Sequence, residues 1–212
     1  MLGLYVSVPI TCFRKGLARE YLETESLPPP STCYGFLLSL VGEMDRIRHI
    51  GCRIAPMLLD RPEQSVVLRT VWRVKKTPLG SSGNTRPDYQ QLLTDVQLII
   101  WLDSSDELEA PSLEDRVRVA LTQPDQVQRF GGLSLGESTH LVNDVSLLDE
   151  DRIEQFPTAA AELYVLHPEG NMTLPVWVDH VGSAGTRYVT GRLEPSGITP
   201  PPTERMPQIT DK

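Results

Sequence analysis

Cysteine is scarce in this chain. There are three, Cys12, Cys33 and Cys52, an odd number with no C-x-x-C pair. That excludes a dense disulfide framework and favours free, part-buried thiols in a reducing cytoplasm. Histidine is almost as thin: His49, His140, His167 and His180 stand apart, with no HExxH and no Cys/His cluster, so no metal site and no cofactor are expected. A lone histidine is more often structural than catalytic. Also missing is a Walker-type GxxxxGK loop, so the stretches GSSGNT and GGLSLG are not nucleotide loops of that kind. No apolar run approaches the ~18 residues of a membrane span. The opening MLGLYVSVPI has no basic n-region and reads as a strand, so no export is expected and the sequon at Asn171 is a chance match.

Acidic residues are not lacking. The net charge is −8, which argues against a general nucleic-acid binder, but the charge is unevenly spread. Residues 1–90 hold 12 Lys/Arg against 8 Asp/Glu, whereas residues 91–212 hold 8 against 20. An acidic total can hide a basic face. A chain of 212 residues suits one large domain, or a domain with a small extension. It buries roughly 70% of its unfolded surface and needs no metal or disulfide to be stable.

Apolar alternation predicts a first strand at about 3–9. A basic segment with Arg14, Lys15 and Arg19 follows, and then SLPPPSTCYGFLLSLVGE, residues 26–43. The prolines force an extended approach, Ser31 or Thr32 can cap a helix over 32–43, and Tyr34, Leu37, Leu38 and Val41 recur at helical spacing. A strand region is expected near 48–59, then a clear strand in SVVLRTVWRVKKT. There Val66, Leu68, Thr70, Trp72 and Val74 share one face, opposite Val67, Arg69, Val71, Arg73 and Lys75. PLGSSGNTRPDYQQ is a long excursion, and TDVQLIIWLD returns as a strand. Ser112 caps a helix over 113–122, and RFGGLSLGES is a glycine-rich loop. Weaker strands are expected at 139–147, 162–167, 173–180 and 187–193, with HPEGNM as a hairpin between the middle pair. From Pro195 on, five prolines in 18 residues predict a flexible tail. The order strand, helix, strands, helix, strand is that of an α+β, ferredoxin-like fold.

Two features suit an extended polyanion. The helix start at Ser31-Thr32 offers free N–H groups and hydroxyls to a phosphate, although a plain N-cap would look the same. The strand face of Arg69, Arg73 and Lys75, extended by Lys76 and Arg86, offers cations, although a solvated sheet face would look the same. Tyr34, Phe13, Tyr89 and Phe130 lie near these segments and could stack on bases or belong to the core.

This combination resembles a known family. Phe13 to Glu43 is similar to the N-terminal signature of the CRISPR-associated "Cas five" family of the RAMP superfamily: a Phe-Arg pair, then Pro-Pro-Ser-Thr leading into a helix with an internal glycine. Asn84 to Leu102 resembles its Arg-Pro…Leu-x-Asp-Val return strand, and Phe130 to Ser138 stands in the place of its glycine-rich loop. The resemblance covers roughly residues 1–140 and is nearest to the short DevS-like branch. It implies an RRM-like (RAMP) domain over 1–138 with a projecting thumb hairpin at about 77–93. A small C-terminal β extension (139–194) and a flexible tail (195–212) would follow. It further implies a non-catalytic subunit that caps the 5′ handle of the crRNA inside Cascade, beside "Cas seven"-type and "Cas eight"-type subunits. Target DNA near the protospacer-adjacent motif is then read by guide pairing. On this resemblance the RNA-binding set is Arg14, Lys15, Arg19, Ser31, Thr32, Tyr34, Arg69, Arg73, Lys75, Lys76, Arg86, Phe130, Gly131 and Gly132.

Two other functions fit the residues. One branch of the family processes crRNA precursor without metal; that would need a base and cations, and His49 with Lys75 or Lys76, helped by Tyr34, is the set available. Alternatively, the acidic half and the tail could make a protein-interaction scaffold that never touches RNA.

Overall fold

The computed structural model describes residues 1–16, 21–72, 78, 80–156 and 161–211. Its elements begin with β1 (Leu2–Thr11), the two-residue strands β2 (Phe13–Arg14), β3 (Tyr21–Leu22) and β4 (Thr24–Glu25), and helix α1 (Pro30–Leu40). Next come β5 (Arg53–Leu58), β6 (Glu63–Trp72), β7 (Thr85–Asp103), α2 (Leu113–Thr122), β8 (Asp144–Leu147) and α3 (Glu150–Glu154). The chain closes with β9 (Glu162–Leu166), β10 (Met172–Trp177) and β11 (Arg187–Pro195). No helix among the described residues is long and apolar enough to cross a membrane.

Strands β5, β7, β1 and β8 lie side by side, all antiparallel, and α1 and α2 follow β1 and β7 in sequence, which is the ferredoxin-like arrangement. The fold is thus α+β, as the alternation in sequence implies. Period-two patterning sends Leu4, Val6, Leu98, Ile100 and Ile54 to the core beneath the helices. The intervening Tyr5, Ile99, Trp101, Ala55 and Met57 face the other way into a second apolar cluster.

That second cluster corrects one expectation. The segment after Pro195 is not a flexible tail. Ile198, Met206 and Ile209 are buried, and the first two cover the second face together with Leu148, Ile153 and Phe156 around α3. The edge of β5 explains why: β9 pairs only with Met57 and Leu58, leaving the first part of the strand open. Ile54 N donates to Pro207 O at 2.9 Å and Ile209 N to Cys52 O at 2.9 Å, filling that gap.

Helix α1 begins earlier and stops earlier than expected. Pro29 is the N-cap and Pro30 the first helical residue, so neither Ser31 nor Thr32 caps it. Proline there gives up no hydrogen bond and is already set for the helix. At the other end Glu43 N donates to Leu38 O and Gly42 N to Ser39 O, a Schellman stop around left-handed Gly42 (φ 69°). In α2 the cap is as expected: Ser112 Oγ accepts from Asp115 N at 3.1 Å, with the reciprocal capping-box bond.

Two strand expectations differ. The hairpin expected at about 77–93 is longer, because β6 pairs with the first half of β7 from Glu63↔Thr94 to Trp72↔Thr85. The ribbon face that carries Val66 and Leu68 stays outside the main core, these residues being 49% and 62% exposed, so their alternation does not mark a buried face. Strands β9 and β10 do not form a hairpin; β11 lies between them, pairing with β10 along 187–191 and with β9 along 191–195. A nine-residue strand has length enough to serve both partners end to end.

Candidate nucleic-acid interface

The helix start and the glycine-rich loop, far apart in sequence, meet in space. A groove of about 580 Å³ runs between α1, the 129–136 loop and the end of β10, with Thr32, Gly35, Arg46, Phe130, Gly136 and Trp177 among its walls. Ser31 also lines it, and its Oγ is buried with no hydrogen-bond partner among the described residues. Gly35 faces out: a Cβ built there meets no described atom within 4 Å. The glycine is therefore not required for packing the helix on the sheet.

The walls combine fixed cations with one bare aromatic. Arg46 lies over the Trp177 ring at 4.4 Å and donates to Val178 O at 2.8 Å. Arg129 donates to Gly131 O at 3.2 Å, and Phe130 beside it is 83% exposed. Gly131 and Gly132 are exposed in the same loop. Leu135 is fully buried and Leu133 packs on the same core, so the apolar residues of this loop anchor it within the chain.

The loop's far end is tightly held. At Gly136 (φ 106°) a Cβ would lie 2.4 Å from Thr11 Oγ1, so only glycine fits. Thr11 Oγ1 donates to Leu135 O at 2.6 Å, and His140 Nδ1 accepts from Cys12 N at 3.2 Å and from Glu137 N at 3.1 Å. A ring nitrogen that accepts two N–H groups must be unprotonated. Burial, first of all, lowers the His140 pKa from 6.5; Glu137 pulls the other way, and Arg69 adds to the lowering. A histidine depressed in the folded state contributes stability above its unfolded pKa and loses it as pH falls through the folded value. Protection of the 135–140 amides against exchange is therefore expected to fall as pH drops below 6.5, followed by NMR; protection that does not change with pH would refute this.

The ribbon carries the second surface. One cross-strand row, Leu68, Tyr89 and Tyr21, is exposed, and the two tyrosine rings lie 6.4 Å apart. Arg69 is not a free cation: it donates to Gln90 and pairs with Glu137 at 3.3 Å. Arg86 pairs with Asp88 at 3.4 Å. Arg14 is exposed on β2, and Lys15 borders a separate hollow with Arg61 and Glu25. Arg19, Arg73, Lys75 and Lys76 lie outside the described residues.

Several residues that the sequence offers as surface candidates lie inside. Tyr34 is 3% exposed and donates its hydroxyl to Arg46 O at 2.8 Å, so it braces the Arg46 turn instead of stacking on a base. Burial pushes its pKa well up. Phe13 belongs to the core. His49, the candidate base, is fully buried, with Nδ1 on Glu107 and Nε2 accepting from Arg116 at 2.8 Å. Arg116 also holds Glu43, whose pKa is pulled down to about 2, chiefly by that hydrogen bond. This network ties the end of α1 to α2, and within it His49 is shut off from the surface. The helix-free sheet face, the RNA platform of an RRM, is equally out of reach under Ile198, Met206 and Phe156. Sequence reasoning missed Arg129, adjacent to Phe130 and so findable, and Arg46 and Trp177, which no local signal links.

No protein-family model matches the chain. Among solved structures, a chain of a "CRISPR RNA-guided surveillance complex" superposes with a TM-score of 0.61 at 13% identity, covering 92% of this chain and 90% of that one. A "Cas protein" crystal structure superposes at 0.50 and 14%, covering 98% and 97%. At such identities the likeness concerns the fold. In sequence, the chain is 53% identical to the CRISPR-associated protein Cas5 of Myxococcus xanthus over 99% of this chain and 97% of that protein. With near-complete coverage at that identity, the chain belongs to the Cas5 family of CRISPR-associated proteins.

Proposed function

We propose that this Cas5 protein is a non-catalytic subunit of a type I CRISPR effector complex, in which it binds and caps the 5′ handle of the crRNA. The observation that carries the reading is the groove, which brings the Pro-Ser-Thr helix start and the glycine-rich loop to one place. There Thr32 and Ser134 offer hydroxyls, Arg129 offers charge and Phe130 offers a stacking platform, with Gly131 and Gly132 exposed next to Phe130 in the same loop. Tyr21 and Tyr89 continue the path on the ribbon. Arg14, Lys15, Arg19, Arg73, Lys75, Lys76 and Arg86 supply the cations from sequence. In the assembled complex the neighbours are a Cas seven-type backbone subunit and a Cas eight-type large subunit, beside the target DNA. The burial of His49 removes the only base proposed for precursor cleavage.

The test is binding of the purified protein to guide RNA with its repeat-derived 5′ handle, against the same RNA without it. The expected result is handle-dependent, salt-sensitive affinity that falls about tenfold or more in Phe130→Ala, the effect of losing one stacked base. Equal affinity for both RNAs, or a Phe130→Ala protein that binds as well as the native one, would overturn the placement. Absence of any RNA binding would favour the protein-interaction scaffold.

A further inference from the structure

We infer that Glu137 is the positioning residue that fixes the β6–β7 ribbon against the wall of the groove, so that the two RNA-contacting surfaces act as one; this rests on the function proposed for the groove. Its carboxylate accepts from one residue of each ribbon strand. Arg69 of β6 reaches Oε2 at 3.3 Å, and Gln90 of β7 reaches Oε1 at 3.1 Å. Gln90 is fully buried and is itself bonded to Arg69, so a three-member knot closes the ribbon's inner side.

Glu137 can grip because its own backbone is held from behind. Its N–H goes to His140 Nδ1, its C=O receives His140 N at 2.9 Å, and Gly136 before it is pressed onto Thr11 and Cys12 at the end of β1. The same loop, a few residues earlier, supplies Arg129, Phe130 and Ser134 to the groove. The Glu137 side chain therefore ties both ribbon strands to the groove wall, in addition to the pairing of β3 with β7 at Tyr21 and Leu22. Arg69 belongs to this connection; its charge faces a carboxylate and serves position instead of phosphate binding.

A half-exposed ion pair adds little to global stability. Loss of Glu137 should therefore leave unfolding nearly unchanged and show itself as ribbon mobility. The experiment is amide hydrogen exchange on the whole protein for native, Glu137→Ala, Arg69→Glu, Glu137→Arg and the charge-reversed double variant. Exchange at residues 86–92 is expected to rise about tenfold in the single variants, a usual coupling between contacting residues. It should return toward native in the double variant, with α2 amides constant throughout. In parallel, Glu137→Ala should bind an RNA of handle plus spacer about tenfold more weakly while holding a handle-only RNA within about twofold. Ribbon exchange unchanged in Glu137→Ala, or no recovery in the double variant, overturns the inference. Equal losses for both RNAs also overturn it, because the residue would then serve the groove alone. If neither RNA binds the native protein, the handle-binding reading fails, and the exchange data still decide whether Glu137 positions the ribbon.

Discussion

Removing residues 196–212 is expected to leave a chain that no longer unfolds cooperatively. Ile198, Met206 and Ile209 are 6%, 0% and 0% exposed, and each buried side chain of this kind contributes about 1.5–3 kcal/mol. Together they amount to roughly 5–9 kcal/mol, comparable with the whole stability of a domain. The deletion also strips Ile54 N of its acceptor and bares Trp101 and Met57. Because a truncated chain of this sort is prone to aggregate, Met206→Ala and Ile209→Ala provide the graded version, each costing about 2–5 kcal/mol. Urea unfolding monitored by tryptophan fluorescence measures all three. A truncated protein with the native midpoint would show that the segment is merely lying on the surface.

Two glycines of α1 and its stop should respond in opposite directions to the same substitution. At Gly42 the left-handed backbone alone costs alanine about 1–2 kcal/mol. A Cβ there would stand 2.2 Å from Gln128 O, so the 128–129 backbone must move as well. Gly42→Ala should lose about 3 kcal/mol or more in total. Gly35 is mid-helix, exposed and unobstructed among the described residues, so Gly35→Ala should gain about 1 kcal/mol of helix propensity. In a chain of this size that raises the melting temperature by about 2–4 °C. On the proposed function the same methyl intrudes on the groove, so Gly35→Ala should be more stable and bind handle RNA less well. Calorimetry with the RNA titration separates the two effects. A Gly42→Ala protein melting like the native one, or a Gly35→Ala protein that melts lower, would contradict the geometry.

The elements that could be read from sequence are those whose signal is local. Ser112 with Asp115 specifies its own helix start, and Val96, Leu98, Ile100 and Leu102 alternate because one sheet face is buried along their whole length. The Pro-Ser-Thr segment and the glycine loop are likewise recognisable in isolation, though not their meeting. What escapes is set by distant partners. The proline-rich end looks like a linker in composition, but the open edge of β5 and the apolar second face give its three large side chains somewhere to go. Tyr34 could have served a groove or a core, and the carbonyl of Arg46 decides for the core. Val66 and Leu68 alternate as a buried strand would, yet the ribbon they build stands outside the ferredoxin-like strands. Arg69 reads as a surface cation because Glu137, its partner, lies 68 residues further along the chain.

The closure of β5 bears on how the protein comes to be folded. Gln208 reaches Gly51 across a separation of 157 residues, so this edge cannot form until nearly the whole chain has been gathered. Contacts of such range must first meet the entropy of a long loop, and folds rich in them form slowly. In the interval the ferredoxin-like strands can already be assembled with the helices on one side, while Tyr5, Met57 and Trp101 stand bare on the other. A chain without this closure would present an apolar sheet face with a partly unpaired edge, the kind of surface that self-associates or engages chaperones. Closing the β5 edge with the C-terminal segment is thus also what hides the second apolar face.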